Sequence, residues 1–308
     1  MKPKHIIKSQ QFNVPSIMEL FSVAQQMEKI AARGGTQDYN NKIMASLFYE
    51  PSTRTRFSFE TAMHRLGGRI LSTENAKEFS SAISGESLED TIKVISQFVD
   101  VIVLRHNEIG GAERASDVSS VPIINAGDGK GGQHPTQALT DLYTIFKEIK
   151  TIDGLNIALV GDLAQGRTVR SLAYLLSKFE RVKIYFVAPE KLQIHDDILN
   201  HLEENDVWFT KESDLRKIID EVDVVYQTRI GKDQLKIDDA GYENIMESFF
   251  INSMMMQKMK SNGIVMHPLP RLKEISQEVD GDKRAAYFRQ AQNSIFVRMA
   301  LLTSVLGT

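Results

Sequence analysis

Apolar residues in "PSIMELFSVAQQMEKIAARGG" recur at Ile17, Leu20, Phe21, Ala24, Met27 and Ala31. This spacing predicts an amphipathic helix, stopped by Gly34 and Gly35. The period then changes. Short β-rich apolar runs, "KIMASLFYE", "GRILSTE", "VDVIVLRH" and "VPIINAG", alternate with helix-patterned segments at 53–66, 87–98 and 134–148. Such alternation predicts parallel β/α units. The pattern restarts at "LNIALVGD" and runs through "VKIYFVAP", "VDVVYQT" and "NGIVMHP", which predicts a second β/α domain. The turn residues of "KTIDG" place the boundary in the helix or turn around 134–154. In "RAAYFRQAQNSIFVRMALLTSVLG", Phe288, Ala291, Ile295, Met299 and Leu302 form one stripe, predicting a long terminal helix that returns to pack on the first domain. The expected fold class is α/β, with two domains, each a mostly parallel sheet flanked by helices.

Composition narrows the functional classes. The chain has 308 residues, 42% hydrophobic and 25% charged, as in ordinary globular proteins. A net charge of −3 gives no reason to expect nucleic acid or an acidic membrane as partner. Cysteine is absent, which removes disulfides, thiolate zinc sites and thiol nucleophiles. The start, "MKPKHIIKSQQFNVPS", has no apolar signal-peptide core, and no apolar run approaches the roughly 20 residues that span a bilayer. A cytoplasmic location is the expectation.

In both halves the chemically interesting residues fall just after predicted strands, where open parallel sheets place their ligands. After "IMASLFYE", Ser52, Thr53 and Thr55 bring hydroxyls to a helix start, and Arg54 and Arg56 add positive charge. Helix N-termini favour anions, and guanidinium forks match phosphate oxygens. One capping hydroxyl contributes only ~1 kcal/mol, so capping does not account for this redundancy. A phosphate does. No G-x-x-x-x-G-K-[ST] run is present, and "VGDLAQGRT" lacks the dinucleotide spacing.

"VDVIVLRH" ends on Arg105 and His106, and "NAGDGKGGQHPTQAL" brings His134 and Gln137 to a helix start with Pro135 at its first position. Taken singly, the histidine reads as structural and the arginine as a salt-bridge partner. Together they offer donors that polarise a carbonyl and hold a phosphate leaving group, without a carboxylate pair, a Ser-His-acid set or a metal cluster. Later, Arg167 and Thr168 begin another helix, Arg229 follows a strand, and His267 to Arg271 form a double-proline bend. Arginines so placed suit substrate carboxylates, although each alone reads equally as a surface arginine.

"EPSTRTR", "NAGDGKGGQHPTQALTDLYT", "VGDLAQGRTVRSL", "YQTRI" and "MHPLPRLKEI", in this order and over almost the whole chain, resemble the aspartate/ornithine carbamoyltransferase family. H-P-L-P in place of the H-C-L-P of ornithine-type members points to the aspartate branch. The resemblance implies a carbamoyl-phosphate domain over 1–135, with a helix at 284–306 packing back on it, and an aspartate domain over 150–283. It implies transfer of the carbamoyl group from carbamoyl phosphate to L-aspartate, giving N-carbamoyl-L-aspartate and phosphate for pyrimidine synthesis, with no cofactor and no metal. Ser52, Thr53, Arg54 and Thr55 would cradle the phosphate with Arg105. Thr55, Arg105 and His134 would polarise the carbonyl. Gln137 and the carbonyls of Pro268 and Leu269 would hold the amino group, next to a cis bond at Pro270. Arg167, Thr168 and Arg229 would receive aspartate. A homotrimer with shared active sites is implied, as is a possible separate regulatory chain.

Three positions depart from the family pattern: Ser84 where many members have lysine, Gly231 where glutamine is usual, and Gln234 where arginine is usual. Lys77 and Lys93 are candidate substitutes for the missing lysine, and Lys232 lies beside the altered Gly231. These departures motivate two alternatives, a carbamoyltransferase acting on a different acidic amine and an impaired paralogue that serves as a binding or assembly partner.

Overall fold

The computed structural model describes residues 5–74, 85–235 and 238–307, with the backbone alone at Asp233 and Gln234. Ser84, Lys77 and the side chain of Gln234 therefore lie outside the described residues. The elements run α1 (Val14–Ala32), β1 (Ile43–Phe48), α2 (Thr53–Arg65), β2 (Arg69–Glu74), α3 (Leu88–Ile95), β3 (Val101–His106), α4 (Gly111–Val118), β4 (Ile123–Asp128) and α5 (Pro135–Ile149). They continue with β5 (Asn156–Val160), α6 (Arg167–Leu176), β6 (Lys183–Val187), α7 (Asp196–Glu204), β7 (Trp208–Glu212) and β8 (Val224–Gln227). Then come α8 (Lys232–Leu235), α9 (Asp239–Met246), α10 (Ser253–Lys258), β9 (Ile264–Met266) and α11 (Tyr287–Leu306).

The chain divides into two compact units, Met1–Thr140 with Gln292–Thr308, and Asp141–Ala291. Both divisions fall inside helices, α5 and α11. The first unit holds a four-stranded sheet in the order β2-β1-β3-β4, and the second a five-stranded sheet in the order β7-β6-β5-β8-β9. Among the described residues, every strand pairing is parallel. The alternating pattern thus becomes two α/β sheets, as expected. The inner strand β3 and the terminal strand β4, which Ile6 bridges at Ile124, are buried along their whole length, as parallel strands covered on both faces are.

In the first unit, Ala45, Leu47 and Tyr49 point to one face and pack with Leu88, Ile92, Ile102, Leu104, Ala112 and Ala115. The alternate residues Met44, Ser46 and Phe48 point to the other face and are buried as well. In α1 the predicted stripe is buried from Ile17 to Met27, with Ala31 half-buried.

Two expectations need correcting. The stripe drawn along α11 holds at Met299 and Leu302, but Ile295 is half-buried and Phe288 and Ala291 are exposed. Buried instead are Tyr287, Phe296, Val297 and Leu301, together with the polar Gln290, Asn293, Ser294 and Arg298. These polar residues have internal partners: Gln290 bonds His267 and Asp141, and the Arg298 guanidinium lies 4.7 Å from the Phe59 ring centre. The second concerns β7, which extends the second sheet beyond the predicted strands. It is an edge strand with sequence Trp-Phe-Thr-Lys-Glu, half exposed and without a continuous apolar signal. Among the described residues, no helix is long and apolar enough to cross a membrane.

Candidate active site

The residues singled out in the first unit sit at or beyond the carboxyl ends of β1, β3 and β4, three strands side by side. Neighbouring strands lie roughly 4.8 Å apart, so groups leaving adjacent strand ends converge. Ser52 is the N-cap residue of α2, and its side chain makes no capping bond. Its carbonyl begins the helix by accepting from the Arg56 N–H at 3.0 Å. Thr53 and Arg54 are exposed, whereas Thr55 is buried. The hydroxyls at this turn are thus not spent on capping α2 through Ser52.

Arg56 does not join the cluster. Its guanidinium is 2.9 Å from Glu74 and 3.6 Å from Glu60, which turns it toward β2. The local positive charge expected from two arginines therefore reduces to Arg54.

Arg105 is buried at the end of β3, opposite Phe48 in the β1 register. One guanidinium nitrogen donates to the Ala126 carbonyl at 3.2 Å, and another lies 2.9 Å from the Glu50 carboxylate. The β3/β4 register shifts between Leu104 and His106. Such irregularities bend a strand end and re-aim its side chains. His106 turns into the core against Tyr49, with ring centres 4.9 Å apart, and accepts from the Glu108 N–H. Burial lowers its pKa, and it plays a packing role.

Asp128 organises the loop after β4. Its two carboxylate oxygens accept from the Gly110 N–H at 3.0 Å and the Gln133 N–H at 2.6 Å. This loop delivers His134, buried, to the start of α5, where its carbonyl accepts from the N–H groups of Gln137 and Ala138. The His134 ring nitrogen Nδ1 is 3.5 Å from the Thr136 hydroxyl, and Gln137 is half-buried on the first turn.

In the second unit the candidates again follow adjacent strands, β5, β8 and β9. Gly161 closes β5 at φ 118°, where a Cβ would meet the Thr228 hydroxyl at 2.4 Å, so the β5 and β8 ends approach through a glycine. Past them the Asp162 N–H donates to the Arg229 carbonyl at 3.2 Å. Arg167 is the first residue of α6 and half-buried, and Arg229 is exposed. Thr168 shares a hydrogen bond with the buried Tyr226 hydroxyl, which itself donates to Asp141 at 2.7 Å. Burial first, then Asp141, holds the Tyr226 pKa well above its ordinary value.

After β9, the chain bends through Pro268, Leu269 and Pro270, and the Leu269–Pro270 peptide is cis. Leu269 has φ 53° and its N–H donates to His267 Nδ1 at 2.8 Å. Of the departures, Gly231 is half-buried, and Lys232 beside it is ion-paired with Asp239. Lys93 is exposed and 3.4 Å from Asp90.

Sequence reasoning missed the partners that hold these groups: Glu50 for Arg105, Asp128 for the His134 loop, Asp141 for Tyr226 and Glu274 for His267. Glu50 carried a usable signal, an acid two residues past one strand end beside an arginine closing the neighbouring strand. Asp141 lies far from Tyr226 in sequence and becomes its neighbour only through the fold, whereas Asp128 and Glu274 are local partners that no pattern of polarity singles out.

Comparison with known proteins places the chain in a family. Residues 4–147 match the family model for the aspartate/ornithine carbamoyltransferase carbamoyl-P binding domain, and residues 153–305 match that for the Asp/Orn binding domain. Aspartate carbamoyltransferase 1, chloroplastic, of Pisum sativum is 51% identical over 302 residues, covering 98% of this chain and 78% of that protein. The catalytic subunit of M. jannaschii aspartate transcarbamoylase superposes with TM-score 0.92 at 46% identity, covering 99% of this chain and 98% of the other. Aspartate transcarbamoylase from Trypanosoma cruzi, solved in complex with carbamoyl phosphate and aspartate, superposes with TM-score 0.93 at 39% identity, covering 99% and 96%. On its motifs, both domain matches and near-complete similarity to these relatives, the chain belongs to the aspartate/ornithine carbamoyltransferase family.

Proposed function

We propose that this protein is an aspartate carbamoyltransferase, moving the carbamoyl group of carbamoyl phosphate to the amine of L-aspartate and releasing phosphate. The observation that carries the reading is the α2 start: a serine in the N-cap position that does not cap, followed by Thr53, Arg54 and a buried Thr55, beside Arg105 from the next strand. A helix start with uncommitted hydroxyls and a neighbouring guanidinium fits a phosphate monoester. The near full-length likeness to aspartate-acting relatives favours aspartate over other acidic amines and over an inactive paralogue.

In this reading Ser52, Thr53, Arg54 and Thr55 grip the phosphate together with Arg105. Thr55, Arg105 and His134 donate toward the carbonyl oxygen, where negative charge grows as the amine attacks. The Gln137 side chain and the carbonyls of Pro268 and Leu269, in the bend closed by Pro270, accept from the carbamoyl amino group. Arg167, Thr168 and Arg229 take the aspartate side. The amine lone pair forms the C–N bond, the tetrahedral centre collapses by breaking the C–O bond to phosphate, and the nitrogen sheds one proton. The transfer is redox-neutral and calls for no cofactor, so its acceleration comes from orientation and preorganised donors. The first unit serves as the carbamoyl-phosphate domain and the second as the aspartate domain. The reading extends to a cytoplasmic homotrimer with shared active sites, which sedimentation of the purified protein tests. The function itself is tested by an initial-rate assay with labelled carbamoyl phosphate: label enters carbamoyl-aspartate with aspartate and not carbamoyl-ornithine with ornithine. Phosphate release that does not depend on aspartate contradicts it.

A further inference from the structure

His267, directly after β9, is 2% exposed, and its N–H and both ring nitrogens have partners. Its N–H donates to the Gln290 side-chain oxygen at 2.9 Å. Its Nδ1 accepts from the Leu269 N–H at 2.8 Å, and its Nε2 lies 2.8 Å from Glu274 Oε1. Since a backbone N–H can only donate, Nδ1 is the unprotonated nitrogen, and the ring proton sits on Nε2 and points to Glu274. Glu274, also 2% exposed, accepts from the Leu272 N–H on its other oxygen at 3.1 Å. Burial lowers the His267 pKa, in keeping with a neutral ring.

The consequence lies in the bend. Pro268 and Pro270 have no N–H, so the Leu269 N–H is the only backbone donor between His267 and Arg271, and His267 takes it. The other polar backbone groups of the bend are carbonyls, which can only accept. Leu269 also sits at φ 53°, a left-handed conformation that a non-glycine residue keeps only where its surroundings hold it. The bond to Nδ1 is such a hold.

We propose that His267 and Glu274 are positioning residues that make the 268–270 bend acceptor-only and so select an acyl phosphate bearing an amino group. The inference rests on the reading of the site as a carbamoyl-phosphate site and adds to it the residues that create the preference. Glu274 keeps the proton on Nε2; with the other tautomer, Nδ1–H would face the Leu269 N–H.

Acetyl phosphate provides the probe, because it replaces the amino group with a methyl group and keeps the phosphate and carbonyl. Binding of carbamoyl phosphate, acetyl phosphate and inorganic phosphate is measured by calorimetry on the full chain and its variants. His267→Phe keeps the ring volume and removes the acceptor; the ratio of carbamoyl to acetyl phosphate affinity falls about ten-fold, while inorganic phosphate binds as before. His267→Asn, whose side-chain oxygen can take the Nδ1 role, restores most of the ratio. A merely structural role would weaken all three ligands together. If folded His267→Phe keeps the wild-type ratio, or loses affinity for all three ligands equally, the proposal is overturned. Should His267→Phe not fold, Glu274→Gln carries the same test, since its amide NH₂ must face a donor on one side; an unchanged ratio there also overturns it. A wild-type protein that binds both acyl phosphates alike fails the reading of the site itself, before any variant is made.

Discussion

The Arg105 guanidinium lies 2.9 Å from the Glu50 carboxylate, an ion pair joining the end of β3 to the residue two places beyond the end of β1. Arg105 is held on its other side by the Ala126 carbonyl. The carboxylate therefore stands where the account puts an anionic substrate, and the two compete for one guanidinium. Glu50→Gln removes that charge while keeping the shape. Inorganic phosphate is expected to bind about three- to ten-fold more tightly to this variant at low salt, with the gain shrinking as salt rises. Calorimetric titration at two salt concentrations checks it, and weaker binding would contradict it.

Arg105→Ala and His134→Ala each remove one donor to the carbonyl oxygen. Each is expected to lower turnover by ~10²–10³, the usual cost of losing one such group. The double variant should fall short of the product of the two losses, because both act on one developing charge. Steady-state rates with saturating aspartate provide the measurement.

Gly231 stands where the family usually has glutamine, between Ile230, whose carbonyl accepts from the Tyr242 hydroxyl, and Lys232, paired with Asp239. Gly231→Gln is expected to lower the KM for aspartate about three- to ten-fold, the worth of one hydrogen bond to a charged group, with kcat within about two-fold. An unchanged KM would show that position 231 does not face the acceptor.

Acid should destabilise the fold in a defined window. Burial lowers the pKa values of His106 and His267 below the ordinary 6.5. For Glu274 burial acts upward, but the His267 and backbone donors outweigh it and hold it below its usual value. The unfolded chain takes up protons on its histidines near 6.5 while the folded chain keeps these two neutral. Their contribution is complete above about 6.5 and is lost as pH falls toward the folded values; that of Glu274 persists to below about 4.5. His267→Asn removes one such group, so its stability should fall less steeply between pH 6.5 and 5.5, by at most ~1.4 kcal/mol per pH unit. Urea unfolding at several pH values gives the slopes.

Much of this was legible before the structure. Strands such as "VIVLRH" announced themselves because a parallel strand covered on both faces is apolar along its length, and the polar residue that ends the run marks the ligand side of the sheet. Strand β7 was not legible, since an edge strand needs only partial burial and reads as mixed polarity. Helix α4, Gly-Ala-Glu-Arg-Ala-Ser-Asp-Val, buries only small residues, Gly111, Ala112 and Ala115, and carries little periodic signal. In α11 the pattern misled, because Gln290, bonded internally, and Arg298, lying on the Phe59 ring, are buried while Phe288 and Ala291 are exposed. Arg56 looked like half of an anion site until Glu60 and Glu74, the latter on the neighbouring strand, claimed it. Motif residues could be read singly; their partners required the sheet order.

The central claim is that the turn at Ser52 to Thr55 and Arg105 grip the leaving phosphate. A crystal structure with a bisubstrate analogue joining a phosphonate to aspartate tests it most directly. The account predicts the phosphonate on the α2 start within hydrogen-bonding distance of Ser52, Thr53, Arg54, Thr55 and Arg105, with the aspartate carboxylates at Arg167 and Arg229. A phosphonate bound elsewhere, or one leaving the Arg105 to Glu50 ion pair intact, would contradict it.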